Sequence, residues 1–184
     1  MPFISTEFKG LYVFVPKVFG DDRGYFFESF NQKTFEEIGV REFFVQDNQS
    51  RSVYGVLRGL HFQKGDAAQA KLVRVLEGAV LDVVLDLRVG SPTYGKHFSI
   101  ELSVENKKQL YVPRGFAHGY VVLTEYAEFF YKCDNYYSKE AEGGIYFNDP
   151  SLNIDWKVDV SNAILSEKDK VLPLLSEHID CFKL

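Results

Sequence analysis

The chain has 184 residues and a formal net charge of -5 at pH 7, and this length can bury one core without disulfides or a structural metal, so we expect a single domain over residues 1–184. The negative charge leaves no excess of cations for a phosphate backbone, which argues against a nucleic acid as the main partner. No apolar run reaches the roughly 18 residues that cross a bilayer, and the N-terminus lacks a basic segment followed by an apolar one, so we expect a cytoplasmic protein with no membrane contact.

Aromatic residues make up 16% of the chain, with 17 Phe and 11 Tyr, and flat rings pack well on a pleated sheet. Short apolar runs recur between Gly, Pro, Asn or Asp residues, which is typical of a β-sandwich or barrel. In chain order the runs are "LYVFVP", "YFFESF", "FFVQDN", "GVLRGLHF", "KLVRVLEG", "AVLDVVLDLR", "HFSIELS", "QLYVP", "HGYVVL" and "EFFYKC". The pattern predicts an all-β fold.

Two of these strands carry information about their faces. In "HFSIELS" polar and apolar residues alternate, which predicts one solvated face. In "AVLDVVLDLR" the carboxylates Asp82 and Asp86 share a face with Val80 and Val84. Charged groups among valines would be explained by a concave surface with a polar lining.

Two short helices are predicted at the periphery of the sheets. One covers residues 32–38 and is closed by Gly39; the other covers residues 167–172, opened by Ser166 and limited by Pro173. The last 35 residues, from "DPSLNIDW" onward, alternate less regularly. We expect this C-terminal segment to wrap the sheets, and the first strands to form an N-terminal extension of the same domain.

The stretch "GVLRGLHFQ" raises a problem of geometry. Arg58 and His61 are three positions apart, so a regular strand would send their side chains to opposite faces. Gly59 is the residue best able to take the unusual backbone torsions of an irregularity. If both side chains serve one pocket, the strand must contain a bulge or break at Gly59.

The stretch "VPRGFAHGY" has the spacing PxGxxH and resembles the second sequence motif of the cupins. The motifs "DDRGYFFESFN", "FVQDN", "GVLRGLHFQ", "KLVRVLEG", "VPRGFAHGY", "NYYSKEAEGGI", "DPSLNIDW" and "LSEKD", taken in order, resemble the dTDP-4-dehydrorhamnose 3,5-epimerases. The resemblance covers the chain from about residue 5 to residue 170.

The resemblance implies a cupin-type jelly-roll barrel with short peripheral helices. It implies inversion of C3 and C5 of dTDP-4-dehydro-6-deoxy-D-glucose to give dTDP-4-dehydro-L-rhamnose, for dTDP-L-rhamnose biosynthesis. It also implies a homodimer that uses neither a cofactor nor a metal. The segment "DDRGYFFESF" is a candidate for crossing into a neighbouring subunit's site.

Removal of a proton next to a ketone requires a base, a donor at the ketone oxygen, and an acid on the opposite face for inversion. The resemblance assigns the base to His61, its orienting carboxylate to Asp169, the cation at the oxygen to Lys71 and the acid to Tyr131. Each residue also has a structural interpretation. His61 and Tyr131 fit a packed core, Lys71 fits a surface lysine, and Asp169 fits a helix cap with Ser166.

Diphosphate recognition calls for forked cations, which Arg23 and Arg58 can supply. The resemblance places further residues near the nucleotide sugar: Glu28, Gln46, Asp47, Asn48, His118, Glu142 and Lys168. It places Tyr137 against the thymine ring. The alternatives are a surface pair of Arg23 with Glu28 and a simple turn at "QDN".

Metal-dependent cupins generally use an HxH pair with a later glutamate and histidine. The four histidines are His61, His97, His118 and His178, with no HxH, which argues against a metal enzyme. Cys133 and Cys181 form no CxxC motif and are interpreted as ordinary thiols. Two other functions remain open: a 3-epimerase or 3,4-ketoisomerase acting on a related nucleotide sugar, and a non-catalytic sugar-nucleotide binding module.

Overall fold

The computed structural model describes residues 2–177 and 182–183, and its regular secondary structure consists mainly of antiparallel strands. The strands are β1 Phe3–Ser5, β2 Tyr12–Phe14, β3 Phe19–Asp21, β4 Gly24–Phe26, β5 Gln46–Val53, β6 Leu57–Gln63, β7 Lys71–Glu77, β8 Ala79–Asp86, β9 Arg88–Val89, β10 His97–Ser103, β11 Gln109–Val112, β12 Phe116–Val122, β13 Tyr126–Cys133, β14 Glu142–Gly144 and β15 Phe182–Lys183. A six-stranded sheet has the order β1-β2-β11-β7-β13-β5, and a five-stranded sheet has the order β10-β8-β12-β6-β14. The all-β prediction is confirmed.

The core between the two sheets is built by alternation along the strands. On β8 every residue is buried, and odd and even positions serve different cores. Val80 and Val84 pack between the sheets with Phe129 of β13, whereas Leu85 packs on the outer side of the five-stranded sheet. Asp82 therefore points between the sheets, on the polar-lined face that the alternation predicted.

The C-terminal segment covers the outer side of the five-stranded sheet. Ile145, Phe147, Leu152 and Trp156 are all at most 5% exposed and belong to the same cluster as Leu85. The indole N–H of Trp156 donates to the carbonyl of Phe147 at 3.1 Å, so its one polar group is satisfied. This segment brings the residues that follow Ala163 back toward the sheet.

The outer side of the six-stranded sheet is covered by one α-helix and the chain segments on either side of it. Helix α1, Gln32–Glu36, begins after Asn31, whose side chain accepts a hydrogen bond from the backbone N–H of Lys33. Its Phe35 is fully buried against the sheet. The helix predicted over residues 32–38 is confirmed in position and ends two residues earlier, before Gly39 at φ 85°.

Three sequence predictions need correction. The helix predicted over residues 167–172 is a single 3-10 turn, Asp169–Val171, because Pro173 follows too closely for a full α-helical turn. The run "YFFESF" forms a strand only at Gly24–Phe26. The run "FFVQDN" becomes a strand only at Gln46, but that strand continues through polar residues to Val53.

The irregularity predicted at Gly59 is confirmed. Three steps along β6 from Arg58 to His61 match only two steps along β12, so β6 carries one extra residue. Gly59 has φ 119°, and a Cβ there would lie 2.6 Å from the Cα of Gly119. The bulge turns Arg58 and His61 toward the same cavity.

Cys133 is a buried free thiol, and His178 and Cys181 lie outside the described residues. Within residues 2–177 and 182–183, no helix is long and apolar enough to cross a membrane.

Candidate active site

A cavity of about 570 Å³ opens between the two sheets. Eight of the predicted site residues line it: Asn48, Arg58, His61, Lys71, His118, Tyr131, Lys168 and Asp169. They come from both sheets and from the returning C-terminal segment. The two sheets form the walls of the cavity, and the C-terminal segment closes one side of it.

His61 and Asp169 form a hydrogen-bonded pair at the side of this cavity. The Nε2 atom of His61 lies 2.5 Å from Oδ1 of Asp169. An ionised carboxylate only accepts, so Nε2 carries the hydrogen and Nδ1 keeps the lone pair. The His61 side chain is 27% exposed and that of Asp169 only 3%, so the ring is accessible and its partner is not.

Asp169 also retains the capping contact that the sequence allowed. Its Oδ2 accepts from the Ser166 hydroxyl at 2.8 Å, and its backbone N–H donates to the same hydroxyl at 3.2 Å. Burial opposes ionisation, but hydrogen bonds and charge from His61 and Ser166 outweigh it and hold the pKa of Asp169 below its ordinary value. The carboxylate therefore serves both groups with different oxygens.

Lys71 stands on the opposite sheet, at the start of β7. Its ammonium lies 5.9 Å from the centre of the Tyr131 ring. Burial lowers the pKa of Lys71, while Cys133, Asp82 and Glu142 act in the opposite direction. A desolvated ammonium of this kind interacts strongly with negative charge that develops nearby.

Tyr131 shares the interior face of β13 with Phe129 and Cys133. Burial, followed by the effects of Cys133 and Tyr120, raises the pKa of Tyr131 to about 12, with Arg58 acting in the opposite direction. The phenol is therefore a protonated donor at neutral pH. This is the protonation state that an acid requires.

Arg58 is oriented by Ser52 of β5, whose hydroxyl accepts from its Nη2 atom at 3.1 Å. Within the described chain no carboxylate lies within 4.0 Å of this guanidinium. A cation in a cavity without an anionic partner is suited to an anionic ligand.

His118 lies beside the same cavity and is held by Asp82. Its Nε2 atom is 2.9 Å from Oδ2 of Asp82, and its ring stacks on Phe129 at 5.9 Å. His118 is 7% exposed and Asp82 is fully buried. The cavity thus contains two histidine–aspartate pairs, one at the side and one deeper.

A second group of predicted residues is connected to the cavity by hydrogen bonds. Glu142 pairs with Lys168 and accepts from the Tyr137 hydroxyl at 3.3 Å. Gln46 donates to the side chain of Asn48 at 3.1 Å and accepts from the backbone N–H of Tyr137, also at 3.1 Å. Tyr137 is 53% exposed, so its ring is available for stacking.

Three predicted binding residues lie away from the cavity of their own chain. Arg23 is exposed in the β3–β4 hairpin and pairs with Asp21, not with Glu28, which is exposed. The Asp47 side chain points to the outer face of the six-stranded sheet, where Lys132 lies 2.9 Å away. The turn interpretation of "QDN" is also wrong, because these residues begin β5.

Sequence reasoning missed several residues of the lining. Ser50 and Tyr120 line the cavity, and their hydroxyls are 2.9 Å apart. Phe129 stacks on Tyr120 at 4.1 Å and forms the floor between the two phenols. For Ser50 the available signal was the period-two spacing from Asn48 in "QDNQSRS"; for Tyr120 and Phe129 nothing distinguished them from other core aromatics.

Among the described residues, no group of three or more His, Cys, Asp or Glu side chains is placed to hold a metal ion.

A barrel cavity with a carboxylate-supported histidine, a desolvated ammonium and a protonated phenol defines an enzyme that moves protons at carbon. The family model for dTDP-4-dehydrorhamnose 3,5-epimerase matches residues 5–177. The chain is 53% identical over 177 residues to the dTDP-4-dehydrorhamnose 3,5-epimerase of Salmonella typhimurium, covering 96% of each chain.

Two solved structures have the same fold. The dTDP-4-dehydrorhamnose 3,5-epimerase of Elizabethkingia anophelis is 58% identical, with a TM-score of 0.92 and coverage of 95% of this chain and 96% of that one. The Legionella pneumophila dTDP-6-deoxy-D-glucose-3,5-epimerase, in complex with dTDP-4-keto-L-rhamnose, is 48% identical, with a TM-score of 0.92 and coverage of 96% and 94%. The chain belongs to the dTDP-4-dehydrorhamnose 3,5-epimerase family, and its cupin-type fold is confirmed.

Proposed function

We propose that His61, Asp169, Lys71 and Tyr131 carry the family's reaction in this chain, the inversion of C3 and C5 of dTDP-4-dehydro-6-deoxy-D-glucose next to its C4 ketone. The product is dTDP-4-dehydro-L-rhamnose, for dTDP-L-rhamnose biosynthesis. The steps need only these side chains and solvent, and we place them in the cytoplasm, in one domain over residues 1–184.

The observation that carries the proposal is the position of base and acid on different sheets. His61 is on β6 of the five-stranded sheet, and Tyr131 is on β13 of the six-stranded sheet, yet both line one cavity. Packed sheets lie about 10 Å apart, which leaves room for one sugar ring between the two side chains. A ring held there presents one face to the imidazole and the other to the phenol.

Each inversion then proceeds in two proton transfers. The Nδ1 atom of His61 takes the proton from carbon, and the electrons of the C–H bond form an enolate whose oxygen is stabilised by the Lys71 ammonium. Tyr131 donates its phenolic proton to the same carbon from the opposite face, and the carbonyl re-forms. Imidazolium and phenolate then return to their starting states by exchange with solvent, and the second carbon follows.

The remaining residues would hold the nucleotide diphosphate. Among the described residues, no carboxylate lies within 4.0 Å of the Arg58 guanidinium, which would bind diphosphate oxygens, while His118 and Asn48 would contact the sugar. Tyr137 would stack on the thymine ring beside Gln46, Glu142 and Lys168. The complex of the Legionella enzyme with dTDP-4-keto-L-rhamnose supports a ligand of this class.

We further propose a homodimer in which the β3–β4 hairpin reaches the neighbour's cavity. The hairpin exposes Phe19, Tyr25 and Phe26 at 54%, 59% and 70%, an apolar area that monomers rarely leave open. Arg23 and Glu28 would then serve the partner's site, and Asp47 would contribute from β5, at the edge of the six-stranded sheet. Light scattering is expected to give twice the chain mass.

The test of function is solvent exchange into dTDP-4-dehydro-6-deoxy-D-glucose in D₂O, followed by mass spectrometry and NMR. Deuterium at both C3 and C5 with the L-rhamno product supports the proposal. Deuterium at one carbon would indicate the 3-epimerase, rearrangement to the 3-keto isomer would indicate the ketoisomerase, and no exchange would indicate a binding module. His61→Asn is the matched control, expected to bind dTDP normally and to exchange neither carbon.

A further inference from the structure

Asp82 is a buried carboxylate that the proposed steps do not use. It is fully buried on the interior face of β8, and its Oδ2 lies 2.9 Å from Nε2 of His118. Its Oδ1 has no hydrogen-bond partner among the described residues. A buried carboxylate with an unpaired oxygen is unfavourable unless a nearby positive charge compensates it.

Lys71 lines the same cavity as His118, the ring that Asp82 holds, and it is the buried cation on which this carboxylate acts. No described carboxylate lies within 4.0 Å of its ammonium, but Asp82, Cys133 and Glu142 act on it electrostatically. Burial, the largest effect, raises the pKa of the Cys133 thiol to about 11, so this group is neutral at pH 7. Glu142 already pairs with Lys168.

Cys133 is neutral and Glu142 is paired with Lys168, so Asp82 is the buried negative charge that remains to act on Lys71. Desolvation lowers the pKa of Lys71, and the negative charge of Asp82 acts to raise it. Its hydrogen bond also fixes the His118 ring, because an ionised carboxylate requires the hydrogen on Nε2 and leaves Nδ1 as the ring's other polar atom.

We propose that Asp82 is the positioning residue for the ketone side of the cavity: one oxygen orients His118, and its charge keeps Lys71 an ammonium in a desolvated place. The inference rests on the proposed function, since it assigns Asp82 to stabilisation of the enolate. The carboxylate does not touch the substrate. It acts through the two cavity residues that do.

The experiment is Asp82→Asn, which keeps the shape and removes the charge, with Asp155→Asn as the matched control at an exposed aspartate that does not line the cavity. We expect kcat to fall by about 10-fold or more while KM changes by less than about 3-fold, because the lost interaction is made in the transition state. We also expect the alkaline limb of the pH profile to move to lower pH by about half a unit or more, because Lys71 loses its proton more easily.

A double-variant cycle with Lys71→Met separates positioning from plain structural support. If Asp82 acts through Lys71, Asp82→Asn lowers kcat little in the Lys71→Met background. The melting temperature of the double variant should also be higher than the sum of the decreases in the two single variants predicts. Additive losses in kcat, or an alkaline limb that does not move, would overturn the proposal.

Protein yield is also decisive. Should Asp82→Asn alone not fold, the double variant is expected to fold, because it removes the desolvated ammonium together with the carboxylate that compensates its charge. Failure of the double variant as well would assign Asp82 to the fold and refute the positioning role. Deuterium exchange at C3 and C5 is also measured for the wild-type enzyme. A wild-type enzyme that exchanges neither carbon would contradict the proposed function itself, independently of the role of Asp82.

Discussion

The pair of His61 and Asp169 provides the sharpest test of the site. Asp169→Asn keeps the volume of the side chain and removes its negative charge from a position 2.5 Å from Nε2 of His61. The charge matters when His61 has taken a proton, because an imidazolium is then held by the carboxylate. The substrate-binding contacts of the cavity are left in place.

The magnitude follows from the geometry. A hydrogen bond to a charged group contributes about 1.5–3 kcal/mol, and about 1.4 kcal/mol corresponds to a factor of ten in rate. This gives a loss of roughly 10- to 150-fold in kcat from the charge alone. The loss grows if the amide that replaces the carboxylate donates to Nε2, because the hydrogen then moves to Nδ1 and removes the base; a wrong tautomer of this kind costs up to about 10⁴-fold in a catalytic triad.

The assay is single-turnover deuterium exchange in D₂O, with dTDP affinity measured by calorimetry. We expect affinity within about 3-fold of wild type and a slower first exchange, because the interaction is made mainly after proton transfer. Melting should fall modestly, since the Ser166 contact, of a kind worth about 1 kcal/mol, is weakened. An Asp169→Asn enzyme that exchanges at the wild-type rate would show that His61 does not depend on its carboxylate.

Three further changes test other parts of the structure. Burial lowers the pKa of Lys71, whereas the pKa of Tyr131 is raised to about 12. We therefore expect activity to be lost at alkaline pH because the Lys71 ammonium loses its proton before the Tyr131 phenol does. Lys71→Arg should move the alkaline limb of the pH–rate profile to higher pH. An alkaline limb that stays at the wild-type pH would contradict this. Gly59→Ala should destabilise the fold by more than about 1 kcal/mol in urea unfolding and abolish turnover. Gly55→Ala, at a positive φ of 76° with no atom within 4 Å of the added Cβ, should cost less. Equal losses would exclude the close approach at Gly59 as the cause. Asp86→Asn should cost about 3–5 kcal/mol, because it leaves a buried guanidinium unpaired. Burial opposes ionisation of Asp86, but hydrogen bonds hold its pKa below the ordinary value, so its contribution is present above the unfolded pKa and lost as pH falls through the folded one. A flat stability curve in that acid range would refute the assignment.

The interior strands could be predicted because their side chains alternate between two different environments. In β8 the alternation separated Asp82 from Leu81 and Val83, and the structure places these two sets on opposite faces of the sheet. The odd spacing of Arg58 and His61 was equally informative. It required an extra residue in β6, and glycine was the only residue there that fits against the neighbouring strand.

Strand β5 was largely missed for a physical reason. Period-two reasoning looks for an apolar face, but Asn48, Ser50 and Ser52 face a polar cavity, so both faces of the strand are hydrophilic. The helix after Ser166 was overestimated for a related reason. Its capping signal is real, but the same carboxylate also bonds a histidine more than 100 positions earlier in the chain, and no local pattern reveals that contact.

Arg23 and Glu28 show a different limit. Their motif matches the family, yet Arg23 lies on the exposed β3–β4 hairpin, Glu28 follows this hairpin as an exposed residue, and neither lines the cavity. The sequence motif indicates a functional role for these residues, but it does not say where in the structure that role is performed. The proposed homodimer offers an answer that a single chain does not contain.

The proposed division of the chemistry between two sheets would explain why this fold suits inversion. The five-stranded sheet carries His61 and His118, whereas the six-stranded sheet carries Lys71 and Tyr131. In the proposed reaction, each side chain is positioned by its strand, so His61 and Tyr131 would address opposite faces of a ring held between the sheets. With base and acid on facing sheets, stereochemistry is set by the spacing of the layers, and one fixed pair can act on any acidic carbon that the substrate presents between them.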